Sequence, residues 1–196
     1  MCTGVRFADA AGNLYFGRNL DWCESYGEGV VITPRGASIP TQFLGSLSPE
    51  HACVGMGIVV GGVPCYFDCA NEAGLAIAGL NFPGYAQFAE APEKGAVNVA
   101  AYEFPLWVAA SFSTVAEVRK ALKDVVIVAK APSEGYGVAQ LHWLVGDGKE
   151  SIVIECQADG MHVYDDGLDV LTNQPPFPWP VSYTHLRAHE TVLDLV

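Results

Sequence analysis

The order of local patterns predicts an α+β fold, with two antiparallel sheets covered by helices. Three observations carry this reading. Residues 1–80 are a succession of apolar runs mixed with Gly and separated by turn chemistry, the pattern of β-hairpins. Residues 98–122 then change to helical spacing. Strand-like runs resume after residue 124, with Asp147-Gly148 and Asp159-Gly160 as tight-turn signals between them.

Taken in order, residues 4–7 and 14–19 flank Ala10-Ala11-Gly12-Asn13 and read as the first hairpin. Residues 30–33 form a run that Pro34 stops. Residues 53–60 and 65–69 flank Gly61-Gly62-Val63-Pro64, and residues 75–81 follow a turn at 71–74. Residues 98–111 carry Val99, Tyr102, Leu106, Val108 and Ala109 and read as a helix kinked at Pro105. Thr114 and Glu117 have capping-box spacing, and Val115, Val118 and Leu122 recur at helical intervals behind them. Residues 125–129, 141–145, 151–156, 161–164 and 170–173 complete the strands. His142 and Trp143 read as a packed core pair, and His162 as a strand surface residue. Trp22, Phe43, Met56, Ile58, Val60, Phe67, Phe82 and Tyr85 read mostly as core, with some of them expected to line a hydrophobic pocket. Cys65 and Cys69, four apart in one strand, are expected on the same face.

With 196 residues the chain fits one domain. Its formal net charge is −12, which opposes binding to phosphate backbones and anionic membrane surfaces, so nucleic-acid and membrane partners are not expected. Hydrophobic residues at 51% against 16% charged exclude a disordered chain. No apolar run reaches the length of a membrane span, and the first residues, Met1-Cys2-Thr3-Gly4-Val5-Arg6, show no signal-peptide pattern. The six cysteines, at 2, 23, 53, 65, 69 and 156, lack the paired spacings of a zinc site. Free thiols in a reducing cytoplasm are the expectation.

After Pro175, Pro176, Pro178 and Pro180 the composition changes abruptly, and residues 181–196 read as an appended tail beyond a domain of residues 2–180. His185 and His189 lie four apart there, a spacing that suits two ligands on one helix face, but no third ligand accompanies them.

Cys2 is the residue with the most chemistry to offer. Removal of Met1 would make it the true N-terminus, with a thiol nucleophile and an α-amine on one residue. An α-amine of ordinary pKa about 7.7–8.0 can act as a general base near neutral pH, so no catalytic histidine is needed. A Met-Cys start alone also arises by chance. Gly17-Arg18-Asn19-Leu20-Asp21-Trp22 closes the second strand, and a hairpin would bring Arg18 and Asp21 to the N-terminus. There Arg18 would favour a thiolate and Asp21 would orient the amine; a plain surface ion pair fits the spacing equally well. Asn81 and Asn173 both stand where a strand enters a Pro-containing loop. That is a place for oxyanion donors and also a common place for a turn asparagine.

Five ordered motifs turn these candidates into a resemblance. Met-Cys-Thr-Gly, Gly-Arg-Asn-Leu-Asp-Trp, Tyr66-Phe67-Asp68-Cys69-Ala70-Asn71-Glu72, Gly79-Leu80-Asn81-Phe82-Pro83-Gly84-Tyr85 and Leu171-Thr172-Asn173-Gln174-Pro175 resemble those of the choloylglycine hydrolases. These are the bile salt hydrolases and penicillin V acylases, amidases with an N-terminal nucleophile (Ntn hydrolases). The resemblance runs from Cys2 to about Trp179. It implies a four-layer αββα fold, with Cys2 as nucleophile and base, Arg18 and Asp21 in support, and Asn81 and Asn173 at the oxyanion hole. It implies a conjugated bile salt as the small-molecule amide substrate, because bile salt hydrolases tend to carry Asn where penicillin V acylases carry Tyr in the Leu80-Asn81-Phe82 motif. The implied protein is a cytoplasmic bacterial homotetramer without metal or cofactor. Family members continue well beyond residue 179 and bring another active-site arginine, so the chain reads as truncated; a penicillin V acylase with the same chemistry and an inactive fragment are the rival expectations.

Overall fold

The computed structural model describes residues 1–178. The strands are β1 (Thr3–Ala8), β2 (Leu14–Asn19), β3 (Gly29–Thr33), β4 (Ile39–Thr41), β5 (Gly45–Leu47), β6 (Cys53–Val60), β7 (Val63–Asn71), β8 (Ala76–Asn81), β9 (Val97–Ala100), β10 (Val125–Val128), β11 (Leu141–Gly146), β12 (Ser151–Gln157), β13 (Gly160–Asp165) and β14 (Val170–Thr172). The helices are α1 (Phe104–Ser111) and α2 (Val115–Ala121), followed by a 3-10 turn at Leu122–Asp124. His185, His189 and the rest of the tail lie outside the described residues. Among the described residues no helix is long and apolar enough to cross a membrane.

Seven strands in the order β13-β12-β11-β8-β7-β6-β3 make one antiparallel sheet, and β14-β1-β2 make a second. Helix α1 lies on the first sheet, where Phe104, Leu106 and Val108 pack with Tyr66, Cys69, Ile77, Trp143 and Ile154. The small sheet lies on the other face, where Cys2 and Leu171 pack with Ala78, Leu80, Leu144 and Val153. Strand residues that alternate between these two clusters bury both faces of β8, β11 and β12. The layers therefore run helix, sheet, sheet, an α+β sandwich. Gly4 allows the two sheets to approach: a Cβ there would stand 3.2 Å from Leu144 and 3.4 Å from Leu80.

Several local expectations change. Residues 97–100 are not helical; they form β9, parallel to β10, and only then does α1 begin. Pro105 occupies the first turn of α1, where its missing N–H costs nothing, so it starts the helix and does not kink it. Seven residues of α1, Phe104 to Ala110, are buried, which removes the amphipathic signal that would have marked its start. The capping box of α2 forms as its spacing indicates, with Glu117 N–H donating to Thr114 Oγ1 (3.3 Å) and Thr114 N–H to Glu117 Oε2 (3.2 Å). His142 and Trp143 are fully buried. Of the eight apolar residues read mostly as core, only Phe82 is; Trp22, Met56 and Tyr85 are exposed.

Cys65 and Cys69 do not share a face. The β6–β7 register shifts between Met56 and Gly57, where Met56 faces Asp68 and Gly57 faces Tyr66, leaving Phe67 as an extra residue. Tyr66 and Cys69 consequently both join the core under α1 and Cys65 falls on the opposite face of the strand, while Cys65, Tyr66 and Phe67 all border one cavity. Gly55 makes room for this bulge, since a Cβ there would sit 2.0 Å from the carbonyl oxygen of Asp68.

The β13–β14 connection carries a buried carboxyl with an expected stability effect. Asp166 is 4% exposed, accepts the Leu168 N–H at Oδ1 (3.0 Å), and has no hydrogen-bond partner at Oδ2 among the described residues. Burial first, and then the charge of Asp169, push it up from 3.8 to about 6. The folded state therefore binds this proton more tightly than the unfolded chain. Its ionised form costs stability above about pH 6, and the cost disappears as pH falls towards 4. Asp166→Asn is expected to stabilise the fold by on the order of 1–3 kcal/mol above pH 7, falling to roughly half of that by pH 5. Urea unfolding at the two pH values reads this; a gain independent of pH would contradict it.

Candidate active site

The β1–β2 hairpin builds the centre of the site. Its register sets Thr3 opposite Asn19 and Gly4 opposite Arg18. Asn19 holds the backbone on both sides of Cys2, accepting the Thr3 N–H at Oδ1 (2.5 Å) and donating from Nδ2 to the Met1 carbonyl (3.2 Å). Cys2 is 2% exposed, and its Sγ lies 3.8 Å from Arg18 Nη2.

Arg18 is itself buried, with its side chain 5% exposed. Its Nη1 lies 3.8 Å from Asp68 Oδ2, an ion pair longer than a hydrogen bond. Its Nε and Nη1 are buried with no hydrogen-bond partner among the described residues. A guanidinium with unused donors beside a thiol is a positive centre that an anion would satisfy. Burial pushes the Asp68 carboxyl up, and the charge of Arg18 works against that rise.

Of the other three predicted residues, Asn81 joins Cys2 and Arg18 in one cavity wall, whereas Asn173 and Asp21 do not line that cavity. Asn81 ends β8 opposite Leu141 and lines the same cavity as Cys2 and Arg18. The β1–β14 register pairs Thr3 with Thr172, so one further step sets Asn173 across from Cys2. Asn173 Oδ1 is buried and has no hydrogen-bond partner among the described residues. Asp21 does not line the cavity; its exposed carboxylate accepts the Met1 ammonium, one residue before Cys2.

The cavity has a volume of about 480 Å³. Cys2, Arg18 and Asn81 stand in its wall with Leu20, Trp22, Tyr26, Ile58 and Phe67, an apolar enclosure with few polar groups, as small-molecule sites are. Cys65 is a second thiol in the wall, but burial, with help from the charge of Glu103, pushes it up to about 11, so it stays protonated near neutral pH. Among the described residues it has no arginine partner like that of Cys2.

Three contributors escaped the sequence reading. Asn19 and Asp68 lie inside the quoted motifs, and their contacts to Cys2's neighbours and to Arg18 give those positions a purpose. The connection between β10 and β11 supplies Lys130, Pro132, Tyr136, Val138 and Gln140 to the cavity wall. Its length and its Gly and Pro content were the available signal, since long connections in compact domains are commonly functional.

Residues 2–194 match the family model described as linear amide C–N hydrolases, choloylglycine hydrolase family. The chain is similar to a bile salt hydrolase/transferase of Bifidobacterium longum subsp. longum, 57% identical over 178 residues that make up 90% of this chain and 56% of that protein. It is also similar to a conjugated bile acid hydrolase of Lactobacillus gasseri, 51% identical over 195 residues, 97% of this chain and 62% of that protein. A crystal structure of a variant of conjugated bile acid hydrolase from Clostridium perfringens superposes with a TM-score of 0.88 at 37% identity, covering 92% of this chain and 56% of that one. Penicillin V acylase from Agrobacterium tumefaciens shares the fold, with a TM-score of 0.75 at 21% identity over 97% of this chain and 57% of that one. The chain spans little more than half the length of the curated relatives it matches. By the extent of the matched residues and by the identity of these relatives, it belongs to the choloylglycine hydrolase family of linear amide C–N hydrolases.

Proposed function

We propose that the protein hydrolyses the amide bond of glycine- or taurine-conjugated bile salts, with Cys2 as an N-terminal nucleophile once Met1 has been removed. The observation that carries this reading is the buried Cys2 Sγ, 3.8 Å from the Arg18 guanidinium, in the wall of a largely apolar cavity of about 480 Å³, a volume in the range of small-molecule sites. The bile-salt relatives at 50–57% identity support the substrate class.

The reaction needs no group beyond the chain and water. The α-amine of Cys2 takes the thiol proton, and Sγ attacks the amide carbonyl. Negative charge grows on the carbonyl oxygen, where Asn81 and Asn173 are the proposed donors. The C–N bond breaks as the α-ammonium gives its proton to the leaving glycine or taurine nitrogen. The acyl group remains on sulfur as a thioester. Water, deprotonated by the α-amine, attacks that thioester and releases the bile acid and the free thiol. Arg18 supplies positive charge beside the sulfur. Asp21, which already accepts the chain-terminal ammonium, is the proposed anchor for the Cys2 amine. A homotetramer in a bacterial cytoplasm belongs to the same reading and rests on the family resemblance.

The test compares kcat/KM for a taurine-conjugated bile salt and for penicillin V. The assay form is an extended chain, residues 1–178 continued by the remaining part of the Bifidobacterium longum relative. The bile salt is expected to be the better substrate by at least about tenfold, the order that a well-matched apolar pocket supplies. A ratio favouring penicillin V would move the substrate assignment to that acylase and leave the cysteine chemistry in place.

A further inference from the structure

The cavity is not the only place where the two sheets meet through chemistry. His142 on β11 and Glu155 on β12 are both completely buried, and His142 Nδ1 lies 2.8 Å from Glu155 Oε1. His142 Nε2 lies 2.9 Å from the carbonyl oxygen of Thr172, at the end of β14 in the small sheet. A carbonyl oxygen only accepts, so Nε2 carries a proton and donates it. Nδ1 and Glu155 Oε1 make the other hydrogen bond of the ring. Glu155 accepts two further bonds, from Phe177 N–H at Oε1 (3.0 Å) and from Gln157 Nε2 at Oε2 (3.0 Å).

These contacts bracket Asn173. The pair holds the chain at Thr172 through the imidazole and at Phe177 through the carboxylate. The peptide unit is planar and trans, so fixing the Thr172 carbonyl also fixes the opposite direction of the Asn173 N–H. The same imidazole stacks on Phe82, with centroids 4.3 Å apart and planes 6° from parallel, and Phe82 follows Asn81 directly. One ring thus touches the backbone unit before Asn173 and the side chain after Asn81. Buried polar pairs of this kind are costly unless fully bonded; here two of the bonds go to Thr172 and Phe177 on either side of Asn173, and Gln157 of β12 satisfies the remaining carboxyl oxygen.

We propose that His142 and Glu155 are positioning residues for the reaction: the buried pair clamps residues 172–177 and sets Asn173 in register with Asn81 across the two sheets. The proposal rests on the reading that these asparagines meet the oxyanion.

Two variants separate the clamp from general packing. His142→Gln keeps an amide nitrogen near the position of Nε2 and can still donate to Thr172. His142→Asn is shorter, reaches only towards Glu155 and loses the Thr172 bond. Thr172-Asn173 is the only Thr-Asn peptide in the chain, so carbonyl-labelled threonine with 15N-labelled asparagine gives one NMR signal for that peptide in the 196-residue chain. The signal should move in H142N and stay in H142Q. In the extended chain, H142N should lower kcat at least about tenfold with KM within about twofold, and H142Q should keep kcat within about threefold. The rate at which iodoacetamide alkylates Cys2 should not change in either variant, whereas a general loss of packing would move it.

An unmoved signal in H142N, equal shifts in both variants, or a moved signal with unchanged kcat would overturn the proposal. In the unaltered protein, 15N-histidine labelling should show a slowly exchanging Nε2 proton on His142. A ring without that proton has no bond to Thr172, which defeats the proposal whether or not either variant folds. Absence of bile salt turnover in the unaltered extended chain would defeat the functional reading, and the labelled peptide would still report on the clamp.

Discussion

Cys2→Ser is expected to reduce kcat for a conjugated bile salt by about a thousandfold or more in the extended chain, while the fold survives. The two side chains have nearly the same shape, so the Cys2 contacts with Ala78, Leu80 and Leu171 persist. What changes is the nucleophile: an alcohol is far less acidic than a thiol, and a guanidinium at 3.8 Å cannot make up that difference. No other described cysteine can take over. Burial pushes Cys53 and Cys65 up to about 11 and Cys156 to about 12, and Cys69 rises for the same reason. Exposed Cys23 does not line the cavity. The same mechanism demands a free α-amine on Cys2. Intact mass of an active preparation should therefore lack the Met1 residue, and a chain with an unremovable residue before Cys2 should be as inactive as the serine variant. Full turnover with Met1 retained would remove the N-terminal mechanism. Full turnover by Cys2→Ser would point to another nucleophile.

The parts of this site that were legible in the sequence are those fixed by short-range pairing. Ala10-Ala11-Gly12-Asn13 turns β1 back on β2, and that hairpin alone brings Arg18 to Cys2. Asn81 was legible because Phe82-Pro83-Gly84 ends a strand, and strand ends are where polar groups meet a cavity. The contacts that escaped depend on long-range register. Asp68 faces Arg18 in a strand that carries the Phe67 bulge, and the bulge depends on Gly55 in a neighbouring strand. β9 was read as helix because four apolar-rich residues running into Phe104-Pro105 carry no period of their own; its parallel partner β10 lies more than twenty residues away. The short β4–β5 hairpin also escaped, since Pro40 lies within it and proline counts against a strand. His142 was correctly placed in the core, but its partners Glu155 and Thr172 come from different strands, and no local pattern joins them.

The 196-residue chain made as written is expected to self-associate and to turn over conjugated bile salt at least about a hundredfold more slowly than the extended chain. Among the described residues two apolar faces stand open. On the large sheet, Val30 and Ile32 of edge strand β3 are 71% and 69% exposed, and they pair with Met56 and Val54 of β6, which are exposed as well. These four form one patch on the face away from Val31, which packs into the core under the helices. On the small sheet, Phe7 and Tyr15 stack on each other in the open, and β2 has no strand beyond it. An unpaired edge beside an exposed apolar face invites a second copy of the same chain. The β1–β2 hairpin that carries this open face also holds Cys2 and Arg18, so distortion by association reaches the nucleophile directly. Light scattering and taurine release, measured for both chains at equal molar concentration, test this. A monodisperse 196-residue chain with turnover equal to that of the extended one would overturn this prediction and show that these 196 residues suffice to close the site.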